Sequence, residues 1–248
     1  MVDIPAYVLL SQETALRRRM DVVANNLANM STSGFKREQP VFEEALRKSD
    51  SAEPAARSVS FVLDYGVTHD QTEGAFNATG NALDVAVQGP GFLAVSLPDG
   101  GTGYTRAGGL QILPDGKLGS AGGLPLLGEG GQPISIPEQA QGRLRIAGDG
   151  TVEGPDGPLG RIEITSFADE GALSQRGDGV MVGSGGTPLS ADKTRLRSGG
   201  LEASNVQPIA ETTAMIEILR AYQTSQRLGE SLGELRKNAI GRLGAFRN

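Results

Sequence analysis

Cysteine and tryptophan are absent from the chain, and histidine occurs once, at His69. Without cysteine there can be no disulfide, no zinc–thiolate site and no thiol nucleophile. A lone imidazole beside Asp70, with Glu73 nearby, makes a weak metal or acid/base site and reads as a surface or strand-edge histidine. Positive charge is in deficit, with 23 Lys and Arg against 29 Asp and Glu for a net charge of -6. No basic stripe stands out, which argues against nucleic acid as a partner. No long apolar run occurs, so no direct membrane span is expected. The opening Met1-Val2-Asp3-Ile4-Pro5 lacks the basic and apolar regions of a cleaved signal peptide, so any export is expected to leave the N-terminus intact. Neither G-x-x-x-x-G-K-[ST] nor G-x-S-x-G occurs, and no cofactor or small-molecule substrate is expected.

Glycine, by contrast, is abundant at 36 of 248 residues, and aromatics make up 4%. Glycine without a G-X-Y period points to tight turns between short strands. Short apolar runs recur at Val59–Leu63, Leu83–Val87, Gly91–Leu97, Gly109–Leu113, Leu144–Ile146 and Arg161–Phe167. Between them stand Pro98-Asp99-Gly100, Pro114-Asp115-Gly116, Gly148-Asp149-Gly150 and Pro155-Asp156-Gly157. Asp-Gly repeated this way predicts hairpins, hence an antiparallel β domain in the middle of the chain. Gly89-Pro90-Gly91-Phe92-Leu93-Ala94 matches a G-x-G-x-x-G/A string, but Leu93–Leu97 continues as a strand, so it reads as a turn rather than a dinucleotide site.

The two ends carry a different pattern. Leu9, Leu16, Met20, Val23, Leu27 and Met30 run at spacings of three and four once the gap at Glu13 is allowed. Ala214, Ile218, Ala221, Ser225, Leu228, Leu232, Leu235 and Ala239 keep the same step near the end. Each helix thus carries a narrow apolar seam, the geometry of coiled-coil contact. Met215, Leu219 and Tyr222 make a second apolar edge, as a helix with more than one neighbour needs. The first helix is predicted from Ile4 to about Ala28, where Asn25, Asn26 and Asn29 act as terminators. The second is predicted from about Ser204 to Lys237, with Pro208 in its first turns and Gly229 and Gly233 weakening it. A short helix at Val41–Lys48 and an exposed linker at Ser49–Ser58 lie between the first helix and the strands. Arg17-Arg18-Arg19 reads as a solvated helix face, or as a partner for Glu202, Glu211 or Glu217. Isolated helices of this kind are marginal in water, so both termini are expected to order on pairing and assembly.

Three ordered motifs resemble one family across nearly the whole chain. Ala24-Asn25-Asn26-Leu27-Ala28-Asn29 with Thr32, Gly34, Phe35 and Lys36 is similar to the N-terminal signature of flagellar basal-body rod, hook and hook-associated proteins. Thr79-Gly80-Asn81, Leu83-Asp84-Val85-Ala86, Gly89, Gly91-Phe92 and Tyr104-Thr105-Arg106-Ala107-Gly108 resemble the rod and hook β-domain motif. Leu201-Glu202-Ala203-Ser204-Asn205-Val206, Glu211, Met215-Ile216 and Arg220-Ala221-Tyr222-Gln223 resemble the C-terminal signature. Two departures stand out: one aromatic at Gly91-Phe92-Leu93 where two are common, and Gly108-Gly109 where a larger residue is common. Length and the opening Tyr7–Gln12 segment look most like proximal-rod members, with distal-rod members next.

The expected fold is therefore α+β, with N- and C-terminal helices pairing as a coiled coil and an inserted antiparallel all-β domain. The expected division is 1–30 for the first helix, 31–75 for a linker and extended segment, 76–200 for the β domain and 201–248 for the second helix. The resemblance implies a non-enzymatic subunit of the flagellar rod crossing the periplasm, a hollow torque-transmitting shaft, without cofactor or metal. Its implied partners are proximal and distal rod subunits and the flagellar type III export apparatus. Subunit-interface candidates are Leu16, Met20, Val23, Asn25, Asn26, Leu27, Asn29, Asn205, Met215, Ile218, Leu219, Tyr222, Leu228 and Leu232. Alternatives are a distal-rod subunit, or a trimeric fibre or adhesin with helical ends and a β head. A wall-cutting hydrolase would need a converging acid pair or a metal site that no motif supplies.

Overall fold

In the computed structural model, which describes residues 4–47, 59–169, 171, 173–176 and 179–245, helix α1 spans Ile4–Ala28 as the periodicity predicts. Helix α2 spans Pro208–Ala245. It starts later than expected because Pro208 takes the first helical position, where its missing N–H costs nothing, and it continues past Lys237 to Ala245. Gly229 and Gly233 lie inside α2 without interrupting it. At 1.5 Å per residue α1 is about 37 Å long and α2 about 57 Å.

The chain divides into two units. One comprises Met1–Ala28, Glu38–Thr68 and Gln207–Asn248, the other Asn29–Arg37 and His69–Val206. In the first, Leu16, Val23 and Ile218 are buried together, with Met20, Leu27, Ala214, Met215, Ala221 and Tyr222 packed around them. Asn26 meets Glu211, and Glu13 meets Ser225, so the two helices run antiparallel. Strands β1 (Glu38–Arg47) and β2 (Val59–His69) form a two-stranded sheet. The helix expected at Val41–Lys48 is thus not formed: its described part is strand. Helix propensity in Glu43-Glu44-Ala45-Leu46-Arg47 gives way to pairing with β2, a long-range contact that local preference does not encode. The linker expected at Ser49–Ser58 lies outside the described residues.

The second unit is antiparallel β. Its strands are β3 (Phe76–Ala78), β4 (Val85–Val87), β5 (Phe92–Ser96), β6 (Thr102–Thr105), β7 (Leu110–Ile112), β8 (Leu118–Ser120), β9 (Arg145–Ile146), β10 (Thr151–Gly154) and β11 (Gly157–Arg161). They continue as β12 (Ile164–Ser166), β13 (Ser174–Gln175), β14 (Met181–Val182), β15 (Thr187–Pro188), β16 (Leu196–Ser198) and β17 (Gly200–Glu202). The largest sheet has the order β13-β14-β6-β5-β12-β15, and a three-stranded sheet has the order β11-β10-β9. The late strands return to the early ones, β16 beside β4 and β17 beside β3. This closes the unit on itself, so that its first and last strands are neighbours.

The four Asp-Gly segments quoted above fall between paired strands: β5–β6, β7–β8, β9–β10 and β10–β11. Gly100, Gly116, Gly150 and Gly157 have φ of 83°, 76°, 90° and 128°, conformations that a residue with a Cβ resists. The aspartates add a second lock, since Asp99 accepts the Gly101 N–H and Asp149 the Thr151 N–H, each at 3.0 Å. These N–H donors hold both carboxyls below the usual carboxylate range.

The core gathers Val85, Leu93, Val95, Leu118, Leu126, Ile146, Val152, Ile162 and Ile164, all almost fully enclosed. Strand alternation sends Phe92 into a separate cluster with Phe167 and Leu173. Phe167 meets Phe92 at 6.0 Å and Tyr104 at 4.7 Å, both edge-to-face. The single aromatic of Gly91-Phe92-Leu93 therefore serves one cluster, and Leu93 serves the main core.

Candidate functional site

Two buried polar clusters and one helical seam hold most of the residues singled out by sequence. In the helical unit, Asn26 is completely enclosed. Its Oδ1 accepts the Glu38 N–H at 2.8 Å, and its Nδ2 donates to the Glu38 carbonyl at 2.9 Å and to Glu211 Oε2 at 3.3 Å. A carboxamide, with one acceptor and two donors, can meet a strand N–H, a strand C=O and a carboxylate together. Asn26 thus joins α1, β1 and α2 and does more than end a helix.

In the β unit the second cluster centres on Glu202. Side-chain exposure is 4% for Glu202, 2% for Lys36 and 3% for Arg106. Glu202 Oε1 accepts from Lys36 Nζ at 2.6 Å and from the Gly74 N–H at 3.0 Å, while Oε2 meets Arg106 Nη1 at 3.4 Å. Lys36 Nζ also donates to the Thr72 carbonyl at 2.8 Å. Arg106 Nη2 donates to the Gly89 carbonyl at 2.8 Å, and its guanidinium lies 5.2 Å from the Phe92 ring centre. Burying three charges is tolerable because nearly every polar edge finds a partner. Within the chain, Glu202 is thus occupied by Lys36 and Arg106.

Gly34 shows what the N-terminal motif requires of its glycine. Its φ is 71°, and a Cβ there would lie 2.4 Å from the Arg106 carbonyl carbon. The bare backbone instead lets the Gly34 N–H reach the Glu202 carbonyl at 2.9 Å. Gly108 is equally constrained, since a Cβ would lie 1.7 Å from the Val85 carbonyl oxygen. A larger residue has no room at that position in this chain.

The interface candidates separate into groups. Leu16, Val23 and Ile218 are buried within the chain, with Met20, Leu27, Met215 and Tyr222 half-buried around them. Asn25 and Leu232 are half-buried. Asn29 accepts Thr32 Oγ1 at 3.1 Å in the turn after α1. Asn205 is held by Arg37, Asp70 and Thr72. Leu219 and Leu228 remain on the surface, with Leu228 52% exposed. Ile209 and Leu235 are 85% and 64% exposed.

The weaker candidates resolve locally. His69 closes β2 and is buried, not on the surface. Asp70 accepts the Thr72 N–H at 3.0 Å and Thr72 Oγ1 at 2.8 Å, and these bonds lower its carboxyl below the ordinary range. Glu73 Oε1 accepts the Gly89 N–H at 2.6 Å. Gly89–Gly91 leads into β5, a strand, so the pyrophosphate-binding helix of a dinucleotide site is missing there. Among the described residues, no three His, Cys, Asp or Glu are placed to hold a metal ion. No described helix is long and apolar enough to cross a membrane.

Terminal helices that pack on each other, and a β segment inserted between them in sequence whose buried polar groups are spent on internal ties, are the features of a structural subunit. The flagella basal body rod protein model matches residues 7–36, and the flagellar hook protein FlgE/F/G D1 domain model matches 86–154. The flagellar basal body rod FlgEFG protein C-terminal model matches 197–241. The basal-body rod protein FlgF of Caulobacter vibrioides is 36% identical over 98% of this chain and 99% of its own. FlgF of Salmonella typhimurium is 34% identical over 94% and 95%. FlgG of Caulobacter vibrioides is 32% identical over 86% and 89%. The chain belongs to the flagellar basal-body rod family; it is FlgF-like, with FlgG close, and it is a structural subunit rather than an enzyme.

Proposed function

We propose that this chain is a proximal-rod subunit whose α1 and α2 pair as a coiled coil in the inner layer of the shaft. In this reading residues 1–30 and 201–248 form that layer around the export channel, 31–75 connect, and 76–200 lie outside. The chain leaves through the flagellar type III apparatus and assembles in the periplasm with other rod proteins. The observation that carries this is the apolar surface left on α2 after α1 has been accommodated. Ile209 and Ile216 are seven residues apart, as are Leu228 and Leu235, so each exposed pair shares a helix face. Solvent does not favour such faces, whereas neighbouring helices do. Head-to-tail contacts between two different surfaces of each subunit build an open tube, and stiffness then transmits torque without chemistry. Near full-length similarity to FlgF, against shorter coverage by FlgG, favours the proximal position.

The test is recovery of the full-length chain from purified hook–basal bodies, beside a copy ending at Ser204 and the variant Leu228→Asp. Only the unaltered chain is expected in the rod fraction, because a seam charge costs several kcal/mol (about 2–5) when buried unpaired. Recovery of Leu228→Asp at normal levels would refute the seam. Intact chain found free as trimers would favour the fibre reading.

A further inference from the structure

The backbone passes between the two units four times, at residues 28/29, 37/38, 68/69 and 206/207. On the β-unit side, three of these crossings meet at one side chain. The Arg37 N–H donates to Asn205 Oδ1 at 2.7 Å. Asn205 Nδ2 donates to the Asp70 carbonyl at 2.8 Å, the Thr72 carbonyl at 3.0 Å and Thr72 Oγ1 at 3.1 Å. The Asp70 N–H donates in turn to the Arg37 carbonyl at 2.8 Å. Behind this ring, Glu202 holds Lys36, Gly34 and Gly74.

We propose that the Asn205 carboxamide is a mechanical junction that ties three of the four crossings into one, so that load enters the β unit through a bound set of strands. The mechanical role rests on the rod reading. A single strand leaving a domain turns freely about two dihedrals per residue, so one tether bends before it transmits torsion. Three strands cross-bonded within a few ångströms share the load and lose that freedom together. Asparagine suits the position because one planar group supplies the acceptor for Arg37 and the donors for Asp70 and Thr72. Aspartate would keep the acceptor and lose the donors. Asn205 is thus a positioning residue for the strands, distinct from the helical seams.

Residue-resolved amide exchange on the full-length chain tests the junction. In Asn205→Ala the Arg37 amide loses its acceptor directly, so the informative amide is Asp70, whose acceptor stays in place. Asp70 exchange is expected to rise at least tenfold, while Leu126 and Ile162 amides in the core stay unchanged. Asn205→Asp should protect Arg37 but not Asp70. In cells, Asn205→Ala rods should assemble and then fail at a lower viscous load than the parent. An unchanged Asp70 rate, or core amides accelerated equally, would overturn the junction. Unchanged torque at high load, with Asp70 loosened, would overturn its mechanical role. Absence of the unaltered chain from purified rods would remove that role by refuting the rod reading, leaving the exchange result standing.

Discussion

Glu202→Gln isolates the energetics of the buried charge cluster. Glutamine keeps the shape of the side chain but removes its negative charge and presents an amide to donors. Lys36 and Arg106, 2% and 3% exposed at their side chains, would then face each other without a counter-ion. Removing one member of a buried, hydrogen-bonded charge group costs about 3–5 kcal/mol, because the remaining charge stays desolvated. The exposed pair Lys117–Asp115, 2.7 Å apart, supplies the internal control. Asp115→Asn should leave stability nearly unchanged, since exposed pairs are screened. Urea unfolding followed by circular dichroism in the β region measures both. For a unit of this size, about 4 kcal/mol corresponds to a fall of roughly 8–16 °C in Tm. Lys36→Met combined with Glu202→Gln should recover about 1–2 kcal/mol, because one stranded cation is gone. A Glu202→Gln protein within about 1 kcal/mol of the parent would refute the claim that Glu202 is the counter-ion on which the two buried cations depend.

Three further outcomes follow from the geometry. Gly34→Ala should destabilise the β unit by about 3 kcal/mol by denaturant titration, combining left-handed strain with displacement of the Arg106 backbone. Gly229→Ala and Gly233→Ala should each raise the helicity of the free chain, worth about 1 kcal/mol, since no described atom lies within 4 Å of either added Cβ; a fall in helicity would contradict an uninterrupted α2. Asp99 and Asp149 titrate below their unfolded values, so their contribution is present above the unfolded pKa and is lost as pH falls through the folded one. Melting temperature should therefore fall in acid below about pH 4, and Asp149→Asn should flatten that dependence.

Local signals carried the helices and turns. The three-and-four spacing marks α1 from Ile4 to Ala28, and the four Asp-Gly segments quoted from the sequence each mark a hairpin, because both depend on residues a few positions apart. Strand β1 was not legible, since Glu43-Glu44-Ala45-Leu46-Arg47 favours a helix until β2 pairs with it. The charged cluster was legible only as membership of motifs. Lys36 and Glu202 lie 166 positions apart, Asn26 and Glu211 lie 185 apart, and no periodicity relates them. Asn205 likewise reads as one letter of a signature until Arg37, Asp70 and Thr72 are brought to it. Long-range polar partners depend on the finished topology, whereas caps, turns and seams are written locally.

The pairing of α1 with α2 also sets an order of events. Their contacts are far apart in sequence, Glu13 and Ser225 being separated by 212 positions. The strands from β3 to β17 close among themselves well before α2 is available. A chain emerging N-terminus first can therefore complete its β unit while α1 waits, unpaired, for a partner that arrives last. The buried cluster of Leu16, Val23 and Ile218 is therefore the part of the chain that can form only once the whole polypeptide is present.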